Sequence, residues 1–185
     1  MGSGVLIDTA IRLLAALALV VANAGFVAAE FALVAVDRAR IDERAGQGQA
    51  RAAAVQRLLS RLSYHLSGAQ LGITITSLLL GVLAEPAVAR VLEPGIEAVF
   101  GEVPTGVSVA IALAVATVVQ MIFGELIPKA IATTRPLETS LAMARPTQLY
   151  GVVARPLVAL LDGMAARLTR RVGVEPTEEL EVIPD

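Results

Sequence analysis

Three apolar stretches, separated by charged ones, set the plan of this chain. Residues 13–36 are hydrophobic except at Asn23 and Glu30. That length exceeds the roughly 20 residues a helix needs to cross a bilayer. It is too long for a signal peptide, whose start would also be basic, whereas here Asp8 precedes Arg12. Residues 66–84 and 107–127 form the second and third stretches. The pattern predicts an all-α membrane protein with three transmembrane helices. Residues 1–12 are expected to be an N-terminal extracellular segment, with MGSG at its start set aside as a flexible or added piece.

The intervening segments differ in charge. Residues 37–64 carry Arg38, Arg40, Arg44, Arg51, Arg57 and Arg61 against Asp37, Asp42 and Glu43. Ala52, Val55, Leu58, Leu59 and Leu62 recur at helical spacing, which predicts an amphipathic helix in the second half. Gly46 and Gly48 separate it from an earlier helical piece. The alternative is a solvated basic loop. Residues 85–106 are acidic, with Glu85, Glu93, Glu97 and Glu102 against Arg90, and are punctuated by Pro86, Pro94 and Pro104. Their middle, residues 87–100, reads as short helices dipping into the interface; the alternative is an ordinary solvated acidic loop. Residues 137–171 are apolar but broken by Pro146 and Pro156, and predict amphipathic juxtamembrane helices. A fourth span over residues 141–161 is the rival reading. Residues 173–185 are an acidic, Pro-containing linker.

Arginine and lysine set the orientation. They crowd residues 37–64 and recur from Lys129 onward as Arg135, Arg145, Arg155, Arg167, Arg170 and Arg171, whereas Arg90 is alone in the second loop. The positive-inside rule therefore predicts a multi-pass protein of the cell membrane, with its N-terminus outside and its C-terminus cytoplasmic. A fourth span would export several arginines, which argues against it.

Composition agrees with the lipid bilayer as the main partner. The chain has 185 residues, 56% hydrophobic and 17% charged, against a usual quarter charged. Mean hydropathy is +0.72. There is no Cys and a single His, His65, so thiolate and histidine-rich zinc sites are excluded. A net charge of −2 makes no case for nucleic acid. No nucleophile–base set and no Walker A motif is visible, so the chain does not read as an enzyme.

Candidate chemistry centres on QMIFGELIPK, residues 120–129. Pro128 lacks an N–H and clashes with the carbonyl of Gly124, so the helix should break there. Freed carbonyls in a bilayer must find a partner or line a polar cavity. Glu125 beside them marks an ion site or a buried pair; the competing reading is an interfacial Glu125 paired with Lys129 at i+4. Gln70, Thr74 and Ser77 share one face of the second helix, extended by Gly81. They are either interhelical glue or a polar path. Asn23 lies deep in the first helix, where glue is one role and ion ligation another. Glu30 either bonds loosened backbone at the break or meets an ion directly. Gly72 and Gly81 are expected to allow close packing. Tyr64 and His65 mark the membrane interface.

Three motifs now resemble a known family. NAGFVAAEFALV (23–34), SGAQLGITITSLLLGVLAEP (67–86) and VVQMIFGELIPKAIA (118–132) look like the transmembrane DUF21 domain of the CorC/CNNM family, also called hemolysin C/CorC or UPF0053. The likeness runs over about residues 13–176. It implies three transmembrane helices, an external N-terminus, cytoplasmic juxtamembrane helices and a homodimer formed through this domain. It also implies a cytoplasmic pair of CBS domains that would begin after GVEPTEEL, so the present chain would hold only the membrane domain. Family members are linked to Mg2+ efflux, coupled to Na+ entry. The Gly-Glu-x-x-Pro-Lys break is intact as Gly124, Glu125, Pro128 and Lys129, and the first-helix glutamate as Glu30. Magnesium-transporting relatives often have serines where this chain has Val27 and Ala29, and Gly-Asn-Asn where it has Gly72, Ile73 and Thr74.

The reading is a secondary divalent-cation transporter module for Mg2+. Its expected oxygen donors are Glu125, the Gly124 carbonyl, Ser77, Thr74, Asn23 and Gln70, supported by Pro128, Lys129, Glu30 and Gly72. The alternative is a non-transporting membrane scaffold. Convergence of these groups on one cavity favours the first, and their facing a protein interface favours the second.

Overall fold

A computed structural model describes residues 3–101 and 104–171, and every regular element among them is helical. Helix α1 (Ser3–Ala35) is the hub: it touches α3 (Ala50–Leu59), α4 (Leu62–Phe100), α6 (Ile127–Thr134), α7 (Pro136–Arg171) and the turn that precedes α6. Three stretches, Gly4–Ala35, Leu62–Ala84 and Thr105–Thr134, are long and apolar enough to cross a membrane. Each overshoots its expected span. Residues 3–12 are the first turns of α1 rather than a separate segment, and Asp8 and Arg12 ride on it. The linker expected at residues 173–185 lies outside the described residues.

Helices α2 (Arg38–Gly46) and α3 (Ala50–Leu59) form the expected pair. The Asp37 side chain caps α2 by accepting from the Ala39 N–H at 2.9 Å, which offsets one orphan donor of the first turn. Gly48 has φ +82°, a conformation that costs a side-chain-bearing residue and costs Gly little. The pair is a folded layer, not a solvated loop. Ile41, Val55, Leu58 and Leu59 are buried against Leu33 and Val36 of α1 and Leu137 and Ala144 of α7.

Helix α4 (Leu62–Phe100) corrects one expectation. The acidic stretch after residue 84 does not loop out; the helix runs on through Pro86 and Pro94 for a total of 39 residues, about 58 Å. Tertiary packing supplies the reason. Ala84, Ala87 and Ile96 are buried, and Arg90 Nη1 donates to Asp8 Oδ2 at 2.8 Å, while Arg12 Nε donates to the same carboxylate at 3.1 Å. The acidic end of α4 is thus tied to α1 through its one arginine. Gly101, φ +74°, stops the helix.

The third crossing consists of α5 (Thr105–Val119), a π-helical turn (Gln120–Leu126) and α6 (Ile127–Thr134). The predicted break is there, in the form of a widened turn rather than an open hinge. The Ile127 N–H bonds back five residues to the Ile122 carbonyl. A wider turn moves the Gly124 carbonyl off the Pro128 ring, the clash a tight α-turn would enforce. Pro128 itself is buried at the start of α6.

Helix α7 (Pro136–Arg171) is a second correction: it is one helix of 36 residues with Pro146 and Pro156 inside it. Each proline deletes one backbone bond and strains one turn. The stripe Leu137, Ala144, Gly151, Ala154 and Val158 is buried against the bundle and holds the helix through both. Leu149, Val152, Val153 and Leu160 remain exposed on the other side.

Gly72 and Gly81 behave differently. A Cβ on Gly72 would lie 2.7 Å from the Phe26 ring, whereas one on Gly81 would meet nothing within 4 Å. Only Gly72 serves close packing. Gly72→Ala is expected to destabilise the fold by about 1–3 kcal/mol through overpacking. Gly81→Ala should be neutral or stabilising by up to about 1 kcal/mol. Thermal unfolding in detergent reads both, and equal melting temperatures for the two variants would contradict this packing.

Candidate functional site

The polar groups near the middle of the three spans meet at Asn23. Asn23 lies four residues, about 6 Å, from the midpoint of α1, and is 1% exposed. A carboxamide at that depth needs partners for both ends, and it has them. Nδ2 donates to the Gly124 carbonyl at 3.1 Å. Oδ1 accepts from Thr76 Oγ1 at 2.7 Å and from Ser77 Oγ at 3.4 Å. Gln120 Nε2 donates to Ser77 Oγ at 2.7 Å. One side chain therefore joins α1 to α4 and to the π-helical turn.

The choice of Gly124 as acceptor follows from the sequence. Pro128, four residues on, has no N–H to offer that carbonyl. The wide turn and the missing donor together leave it available to Asn23. Gly124 also lets Asn23 approach, because a Cβ there would lie 3.2 Å from Asn23 Nδ2.

A second group lies toward the α2–α3 end. The Gln70 amide faces the Glu30 carboxylate, and the Lys129 ammonium is within electrostatic reach of it. Lys129 Nζ also sits 4.5 Å over the Phe31 ring, a favourable cation–π placement. Glu30 is seven residues beyond Asn23, on the same face of α1. The two groups thus lie along one seam.

The expected site residues divide accordingly. Asn23, Ser77 and Gly124 come together. Gln70 joins Glu30 and Lys129 instead. Thr74 is exposed and donates back to the Gln70 carbonyl at 2.9 Å. Glu125 is exposed, whereas Asn23 is buried, and no ion pair joins Glu125 to Lys129 among the described residues. The stripe Gln70–Thr74–Ser77 is thus split. Gly72 packs on Phe26 and Pro128 releases the Gly124 carbonyl, so both act through shape. Thr76 and Gln120 were missed. Thr76 lies two residues past Thr74, about 200° around the helix, and faces α1. Gln120 opens the motif and its polarity was the available signal. No cluster of three or more acidic, His or Cys side chains exists among the described residues, so any cation here would meet amide, hydroxyl and carbonyl oxygen first. Val27 and Ala29, where transporting relatives often carry serine, are each 4% exposed and apolar.

These features define a multi-pass, all-α membrane domain with a polar seam between its crossings. The chain belongs to the CNNM family: residues 14–184 match its Cyclin M transmembrane N-terminal domain. It is similar to UPF0053 protein MT1890 of Mycobacterium tuberculosis (strain CDC 1551 / Oshkosh), with 44% identity over 177 residues, 95% of this chain and 39% of that protein. It is also similar to UPF0053 protein YhdT of Bacillus subtilis (strain 168), with 39% identity over 165 residues, 87% of this chain and 35% of that one. UPF0053 protein YhdP of the same organism is 34% identical over 174 residues, 93% of this chain and 39% of its own length. The chain therefore spans well under half the length of these curated relatives.

The hub position of Asn23 has a measurable consequence. Asn23→Leu strands the Gly124 carbonyl, and is expected to destabilise by about 1–3 kcal/mol. Thr76→Val should cost about 0.6 kcal/mol, the usual value of an interhelical hydrogen bond in a membrane, because Ser77 still serves Oδ1. Chemical unfolding in detergent separates them; a Thr76→Val loss as large as that of Asn23→Leu would count against a hub.

Proposed function

We propose that this chain is the membrane module of a secondary divalent-cation transporter, with Mg2+ as cargo and Na+ entry as the coupled flow. The observation that carries this reading is the Gly124 carbonyl, which lies in the π-helical turn and accepts a hydrogen bond from buried Asn23. Around it stand Thr76, Ser77 and Gln120, so oxygens from all three crossings converge near the midplane. Hard cations take such ligands, and Mg2+ demands about six oxygens at roughly 2.1 Å. A bare ion would have to replace the Asn23–Gly124 hydrogen bond, freeing both groups as ligands. Glu30 on the same seam supplies a charge at the α2–α3 end. In this reading that end is cytoplasmic, and the remaining length of the full protein carries the CBS pair. Alternating access opens the seam to each side in turn.

Homodimerisation belongs to the same proposal. Glu125 lies nine residues, about 14 Å, before Thr134. Centring a hydrocarbon slab of about 30 Å on this helix of about 45 Å puts Glu125 roughly 6 Å inside its edge. An exposed carboxylate there is unfavourable against lipid. Met121, one turn before it, and Leu126, next to it, are exposed as well, and a second copy would cover the carboxylate and these side chains together.

One observation favours the alternative of a scaffold without transport. Among the described residues no buried side-chain nitrogen or oxygen lacks a partner, and Val27 and Ala29 offer no hydroxyls. Flux decides between them. Mg2+ movement into proteoliposomes holding the chain, read with a trapped Mg2+ dye, is expected to slow at least about tenfold in Asn23→Ala, the equivalent of about 1.4 kcal/mol of lost ion stabilisation. No flux above that of protein-free vesicles in the folded parent chain would leave only the scaffold, and equal flux in the folded variant would take Asn23 out of the ion path.

A further inference from the structure

We infer that the chain carries a binding site for an anionic phospholipid between α1, α3, α4 and α7. The site has two adjoining parts that share Tyr64, His65 and Gly151 as a common wall. The outer part is a cleft presenting three arginines, Arg57 of α3, Arg61 just before α4 and Arg155 of α7. All three are exposed, and among the described residues no carboxylate forms an ion pair with any of them. The inner part is a cavity of about 240 Å³ with an almost wholly apolar lining, including Gly25, Phe26, Gly68, Ala69 and Tyr150.

The two parts match the two halves of one molecule. Guanidinium groups pair with phosphate oxygens through parallel N–H donors, and a basic pocket between membrane helices is a natural seat for an anionic head group. The apolar cavity behind it offers no such donors and suits an acyl chain. Depth agrees: Arg57 and Arg61 lie immediately before the candidate span Leu62–Ala84, at the head-group level, while Tyr64 and Gly68 lie inside it. The helix framing the cleft is itself set for lipid, since Val152 and Val153 of α7 are 73% and 71% exposed. The geometry is held from within. Tyr64 Oη donates to the Gly151 carbonyl at 2.7 Å, and Gln148 Nε2 donates to the Ala54 carbonyl at 3.1 Å. These bonds fix α7 to α4 and α3, and so fix Arg155 relative to Arg57 and Arg61. A free phosphate would use only the outer cleft; the adjoining cavity and the exposed apolar face of α7 favour the lipid. The inference does not depend on ion transport, and lipid retention is readable in a chain that moves no cation.

The test is native mass spectrometry of the detergent-solubilised chain, incubated with an equimolar mixture of dioleoyl phosphatidylglycerol and dioleoyl phosphatidylcholine. The parent chain is expected to retain the phosphatidylglycerol preferentially. Each arginine changed to Gln should lower that preference about fivefold, and Arg57→Gln/Arg61→Gln/Arg155→Gln about a hundredfold. These side chains are exposed, so the fold should survive, and Arg155→Gln alone provides the check if the triple variant does not. Gly25→Leu fills the cavity from a position where a Cβ meets nothing within 4 Å, and should lower retention of the dioleoyl lipid while leaving the melting temperature in place. Millimolar inorganic phosphate should fail to displace the lipid. No preference in the parent chain, an unchanged preference in the arginine variants, unchanged retention in Gly25→Leu, or displacement by phosphate would each overturn the inference.

Discussion

In hydrocarbon a backbone carbonyl without a donor costs several kcal/mol, and the Gly124 carbonyl is the group this fold must satisfy. Pro128 removes its expected donor and Asn23 replaces it across the helix interface at 3.1 Å. The other end of the same carboxamide draws in Thr76 and Ser77. The register of three long helices is therefore tied to one buried side chain. Apolar contacts between helices and lipid tails differ little in energy, so they set register poorly; a directional polar contact sets it well.

The same economy operates at both ends of the bundle. On one end Asp8 gathers Arg12 and Arg90. Those groups are each more than a third exposed, so the contact orients α4 against α1 more than it stabilises the fold. On the other end α2, α3 and α7 close over α1 with a core of Ile41, Val55, Leu58 and Leu137. The arginines that flank it, Arg57 and Arg61 among them, are exposed while the apolar face turns in. It frames both the polar seam at Glu30 and the cleft of Arg57, Arg61 and Arg155.

The residues a transporter would use and those that hold the fold overlap almost completely here. Asn23, Ser77 and Gly124 are ligands in one description and glue in the other, because the same oxygens that accept hydrogen bonds accept a cation. Val27 and Ala29, both buried and apolar, offer no hydroxyl to either.

Hydrophobic length, the arginine pattern and the Gly-Glu-x-x-Pro-Lys stretch were enough to read three crossings, the α2–α3 pair and a break near Gly124, since these follow from bilayer thickness and from the chemistry of proline. Local signals failed where packing overrode them. Pro86, Pro94, Pro146 and Pro156 all suggested breaks, yet buried Ala87, Ile96, Ala154 and Val158 carry α4 and α7 straight through. The site was half legible. Asn23 and Gly124 stood out as polarity and strain inside apolar runs, whereas the partner hydroxyl is Thr76 rather than Thr74. Which face of a helix meets its neighbour depends on rotation about the helix axis, and in a chain apolar on every side no periodicity encodes that rotation. The sequence by itself thus determined how many helices cross and where one is disturbed, through lengths and backbone valence. Only the tertiary structure decided that Glu125 turns outward and Asn23 inward, because that choice is made by the contacts of three helices at once.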